Sequence, residues 1–176
     1  MKIVYETHST TLDNEAGRSS GWNDVALSKL GEQQAREIGS RYKVSDFDVI
    51  CAADLVRTRQ TVELAFPNID PTKLRLDWRL REINYGDMTL QPSEIVDAEK
   101  PRHISEPFPN GESYVQAIDR VRRFLEDLKQ EKFENVLIID SRATHYALDH
   151  LLGGKSIEEA VTTKLVWQPG WEYELK

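Results

Sequence analysis

Apolar positions along this chain fall into two kinds of block. Short continuous runs mark buried strands, and three-to-four-residue spacing marks helices. Ile3–Tyr5 reads as the first strand, Asp46–Cys51 (apolar from Val49) as the second, and Asn135–Ile139 as the fourth. Leu74–Trp78 alternates apolar and polar residues, which predicts a third strand at a sheet edge. Leu30, Ala35, Ile38 and Tyr42 predict a helix over 32–42, with Ser28 as its cap. Further helices are predicted over Leu55–Phe66, Ser93–Lys100 (capped by Ser93), Ala143–Leu152 and Ser156–Val161. The strongest is Ser113–Gln130, where Tyr114, Ala117, Ile118, Val121, Phe124, Leu125 and Leu128 form one stripe. Leu165–Gln168 and Trp171–Leu175 read as short extended pieces about a Pro169-Gly170 turn. Strands alternating with helices predict an α/β fold: a three-layer α/β/α sandwich with a mostly parallel sheet and one antiparallel edge. No repeat or linker divides residues 1–176, so one domain is expected.

Polar residues interrupt the apolar runs at what would be the carboxyl ends of the strands. Glu6-Thr7-His8 follows the first, Ala53-Asp54 the second, and Asp140-Ser141-Arg142 the fourth. In open α/β sheets ligands bind at that edge, so His8 is placed for chemistry. Alone, the stretch is also compatible with an inert loop histidine. The irregular region 79–111 holds four prolines and reads as a lid or substrate wall.

Composition narrows the possible partners. Thirty acidic against 23 basic residues give a net charge of −7, with no electrostatic footprint for nucleic acid or an anionic membrane surface. The single Cys51 allows neither an internal disulfide nor a cysteine-rich zinc site. No apolar stretch approaches the ~20 residues of a membrane span, and no secretory signal opens the chain. A cytoplasmic protein of unknown oligomeric state is expected.

In order, six motifs resemble those of the histidine phosphatase superfamily, the phosphoglycerate-mutase-like proteins. They are Thr7-His8-Ser9 with Thr10, Thr11 and Asn14; Gly17…Gly21-Trp22-Asn23-Asp24; Leu27…Gly31…Gln34-Ala35; Ala53-Asp54-Leu55-Val56-Arg57…Thr61; Leu80-Arg81-Glu82…Gly86; and Pro109-Asn110-Gly111-Glu112-Ser113. The resemblance spans essentially the whole chain. It implies a phosphatase acting on a small phosphorylated molecule, with His8 carrying the phosphoryl group as a phosphohistidine. It also implies that Arg57 and Asn14 bind substrate, that Glu82 is the general acid, and that neither a metal nor another cofactor takes part.

Two cations of the family pocket are replaced, by Thr7 and by Ser141. Arg18 and Arg142 could substitute in part, or could lie on the surface. His145 could point to the pocket, face solvent or pack on the sheet. Glu6 and Asp140 are oddly acidic for strand ends and, if neighbours, form either an acid/base pair or a structural ion-pair network with arginines. Three functions therefore stay open: a phosphatase with a depleted pocket, a divergent acid/base enzyme, and a non-catalytic ligand-binding protein.

Overall fold

In a computed structural model describing residues 1–176, the elements run in chain order as β1 (Lys2–Thr7), α1 (Leu12–Glu15), α2 (Lys29–Arg41), β2 (Val49–Ala52), α3 (Val56–Ala65), β3 (Leu74–Leu76), α4 (Ser93–Glu99), α5 (Tyr114–Lys129), β4 (Asn135–Asp140), α6 (Arg142–Leu151), α7 (Ile157–Thr162) and β5 (Trp171–Glu174). One sheet has the order β3-β2-β4-β1-β5. Its first four strands are parallel, and β5 runs antiparallel to β1. The α/β class, the mostly parallel sheet and the antiparallel edge therefore stand as expected.

Alternation along each strand sends successive side chains to opposite faces. On one face Val4, Ile50, Leu137 and Ile139 meet Ile38 of α2 and Val62 of α3. On the other Ile3, Tyr5, Val136 and Ile138 meet the apolar stripe of α5 and Ala147 and Leu148 of α6. Burial of both faces is why the strands read as continuous apolar runs. A third cluster, Ile83, Tyr85, Val96, Phe108, Tyr114, Tyr146 and Val161, anchors the irregular region against α5 and α6.

Several boundaries differ from the pattern. β3 ends at Leu76, because Asp77 accepts the Arg79 N–H and starts a 3₁₀ turn over Trp78–Leu80. Residues 165–168 form no strand. Pro92, not Ser93, caps α4; the Ser93 hydroxyl meets Ser19 instead. The loop after β1 contains α1, whose capping box joins Thr11 and Asn14. Ser28 caps α2 as expected, accepting the Gly31 N–H. Gly31 has a further reason to be glycine: a Cβ there would sit 1.9 Å from the Thr10 carbonyl. That close approach seats the His8 loop on α2. No helix is long and apolar enough to cross a membrane.

Candidate active site

The carboxyl ends of β1, β2 and β4 open into a cavity of about 510 Å³. Thr7, His8, Asn14, Arg18, Arg57, Glu82, Asp140, Ser141 and Arg142 all line it. Nine of the ten residues singled out from the sequence thus meet in one place, which their separations along the chain do not require.

His8 is fixed by the strand it follows. Its backbone N–H donates to the Asp140 carbonyl at 2.7 Å, carrying the β1–β4 ladder one step further. The ring Nδ1 lies 2.8 Å from the Ser9 carbonyl. A carbonyl only accepts, so Nδ1 carries the hydrogen and Nε2 keeps its lone pair. Burial, then Arg57 and Arg142, lower the imidazole pKa to about 3. The half-buried ring is therefore neutral near pH 7.

Arg57 projects from the first turn of α3 and is almost wholly buried. Its two Nη atoms donate to the Gly21 and Asn23 carbonyls at 2.7 and 3.1 Å. Gly21 adopts φ +52°, and a Cβ on it would lie 2.9 Å from the Tyr85 ring. Glycine there permits the turn that aims its carbonyl at Arg57. The guanidinium groups of Arg18 and Arg142 have neither a hydrogen bond nor an ion pair, so two unpaired cations border the cavity.

Glu82 is held from behind. Its carbonyl accepts from Trp22 Nε1 at 2.6 Å and Arg120 Nη2 at 2.9 Å. Arg81 beside it forms a bidentate pair with Asp54 at 2.6 and 2.7 Å and stacks over Trp22. Glu112 accepts the Asn84 N–H and pairs with Arg120. The Gly-Trp, Ala-Asp-Leu and Gly-Glu-Ser motifs therefore converge on the acidic loop. The Glu82 carboxylate accepts the Ile83, Arg142 and Ala143 N–H groups at 2.8, 3.2 and 3.1 Å. It caps α6, a task the Ser141 hydroxyl leaves undone because it donates to Asp140 at 3.0 Å.

The acid/base pair of Glu6 and Asp140 does not form. In the ladder Thr7, not Glu6, stands opposite Asp140, and alternation puts the two carboxyls on opposite sheet faces. Glu6 turns toward α2, where Arg41 donates at 3.0 Å and the Tyr42 hydroxyl at 2.9 Å. It borders a separate cavity of about 280 Å³, shared with His8 and Trp167. Neither Arg57 nor Arg142 pairs with it. Asp140 is fully buried and accepts from the Ala53 N–H, the Ser141 N–H and the Ser141 hydroxyl. Of the readings of His145, packing on the sheet is the one found: its ring stacks on Tyr5 and lies against Trp171.

Burial raises the Asp140 pKa to about 7 against those three hydrogen bonds and Arg57. Its ordinary value is near 4, so the fold favours the protonated acid. The stability this group contributes is full below pH ~4 and is lost as pH rises toward 7, by at most ~1.4 kcal/mol per pH unit. Asp140→Asn, which cannot titrate, should therefore gain stability relative to wild type between those limits. Urea denaturation of both proteins across that range checks it; parallel stability curves would contradict it.

Sequence reasoning passed over Asp97, Leu165 and Trp167, which also line the cavity. Trp167 falls in the piece Leu165–Gln168, which the sequence marks only as extended chain before the Pro169-Gly170 turn.

Known proteins resemble this chain in sequence and in fold. The model of the histidine phosphatase superfamily (branch 1) matches residues 7–165. A Hydrogenobacter thermophilus protein with the provisional name phosphoserine phosphatase 2 is 30% identical over 167 residues, 90% of this chain and 82% of its own. An uncharacterized phosphatase of Bacillus subtilis is 30% identical over 161 residues, 90% of this chain and 80% of its own. The structure of YhfR from Bacillus stearothermophilus superposes with a TM-score of 0.82, covering 99% of this chain and 91% of its own, at 20% identity, which speaks for the fold alone. The fold, the ordered motifs around His8 and the family match together place this chain in branch 1 of the histidine phosphatase superfamily, as a phosphatase by class.

Proposed function

We propose that this protein hydrolyses small phosphate monoesters through a phosphohistidine on His8, using a depleted phosphate clamp. The observation that carries the reading is the free Nε2 of a neutral His8 in a cavity bordered by Arg57 and by the unpaired Arg18 and Arg142. Phosphoryl transfer needs mainly positioning and neutralisation of the equatorial oxygens. Nε2 attacks phosphorus as the ester P–O bond breaks. The Ser9 carbonyl, already bonded to Nδ1–H, stabilises the imidazolium that results. Water then attacks the phosphohistidine, the P–N bond breaks, and inorganic phosphate leaves with neutral His8 restored.

Glu82 is the proposed proton donor to the departing oxygen. In the free protein its carboxylate only accepts hydrogen bonds. Asn14 turns its side-chain oxygen to the Thr11 N–H at 3.0 Å, so its amide N–H₂ is the end offered to substrate.

Thr7 brings a hydroxyl but no charge to the phosphoryl group, and the Ser141 hydroxyl is already donated to Asp140. A modest rate is therefore expected for the wild type. Restoring the two cations with Thr7→Arg and Ser141→His should raise hydrolysis about ten- to a hundredfold per cation, since a charge-assisted hydrogen bond is worth about 1.5–3 kcal/mol. Thr7→Arg alone serves if the buried Ser141 site rejects an imidazole. Steady-state kinetics checks this; a fast wild type that neither change improves would contradict the depleted clamp.

A further inference from the structure

We infer that the preferred substrate carries one phosphoryl group on a neutral leaving group with a flat apolar face, which lies against Trp167. The inference rests on the phosphatase reading above. Two separate observations lead to it.

The first is charge. Three cations line the cavity (Arg18, Arg57 and Arg142) beside the acids Glu82 and Asp97, while burial holds Asp140 toward its neutral form. With Thr7 and Ser141 uncharged and both Arg57 Nη atoms donating to the Gly21 and Asn23 carbonyls, Arg18 and Arg142 are the unpaired cations left for the phosphoryl oxygens. A second anionic group on the substrate, such as a carboxylate, would meet Asp97 with no cation left to pair. Uncompensated like charges disfavour such a ligand, so the cavity selects against phosphorylated acids.

The second is the apolar wall. Of the 19 lining residues, three are hydrophobic, and two of them, Leu165 and Trp167, lie on the segment joining α7 to β5. Trp167 is 60% exposed, and Val166 beside it 80%. The Trp167 indole makes no hydrogen bond and stacks on no other ring in the protein. It walls both cavities that touch His8. A leaving group on phosphorus at His8 therefore meets this indole whichever cavity it enters. A planar apolar group would cover a face otherwise left to water.

The test compares kcat/KM for 1-naphthyl phosphate, glycerol 2-phosphate and 3-phosphoglycerate in wild type, Trp167→Ala and Trp167→Phe. Naphthyl phosphate should be preferred and phosphoglycerate should be poorest. Stacking on an aromatic side chain supports about a tenfold effect. The naphthyl-to-glycerol ratio should thus fall about tenfold in Trp167→Ala and largely recover in Trp167→Phe. A ratio unmoved by Trp167→Ala, or a preference for phosphoglycerate, overturns the inference and leaves the phosphatase reading intact. Binding is measured separately in His8→Ala by the shift of the Trp167 indole N–H resonance on adding naphthyl phosphate. If that resonance shifts while no ester turns over in wild type, the ligand class stands and the phosphatase reading fails. If it does not shift, the inference fails.

Discussion

His8→Ala is expected to abolish phosphate-ester hydrolysis while leaving the fold in place. Loss of a covalent nucleophile removes the first chemical step itself, so the rate should fall on the order of 10⁴-fold or more. The ring is half-buried and its one polar contact is with the adjacent Ser9 carbonyl, so little packing depends on it. With its pKa lowered to about 3, His8 stays unprotonated through the mildly acidic range. Whatever shapes the rate between pH 5 and 7 is therefore another group. Steady-state rates and circular dichroism of the variant check the prediction. A folded variant that keeps more than about a hundredth of the rate would place the nucleophile elsewhere, given the size expected for such a loss.

Arg57→Ala should cost both activity and stability. The side chain is 2% exposed, and its guanidinium bonds two loop carbonyls. Truncation leaves a cavity and strips the Gly21 and Asn23 carbonyls of their donor. Together these should lower stability by about 3–5 kcal/mol. Activity should fall further, because the residues from Gly17 to Gly21 that wall the cavity are tied to α3 through this side chain. Arg57→Lys keeps the charge but not the two-pronged fork. It should recover part of the stability and little of the activity. Urea denaturation and kcat/KM on the same preparations separate the two effects; stability unchanged within about 1 kcal/mol would contradict the structural part.

Much of this architecture was legible in the residues. Continuous apolar runs such as Val136–Ile139 mark strands buried on both faces, and the turn residues around them mark their ends. The strand-end part of the candidate site was legible for a related reason, whereas Asn14, Arg57 and Glu82 were singled out by the family resemblance. Strand ends in a parallel sheet share one edge, so polar residues that stop apolar runs converge there. The relation of Glu6 to Asp140 was not legible, because it depends on register: one residue decides which face a side chain takes, and sequence does not print the pairing. Trp167 was missed because its segment has no period; only the fold brings residue 167 back over His8. The capping of α6 by Glu82 joins positions 60 residues apart and likewise needs tertiary structure.

The central claim is that His8 carries the phosphoryl group during turnover. The direct measurement is rapid mixing of the protein with a phosphate ester, quenching in base, where phosphohistidine survives, and mass spectrometry of the peptides. The expected result is one added phosphoryl group, mapped to His8, absent from His8→Ala and more abundant at short times than at completion. Turnover with no labelled intermediate, under conditions where a chemically prepared phosphohistidine survives the same quench, or a label on any other residue, would contradict it.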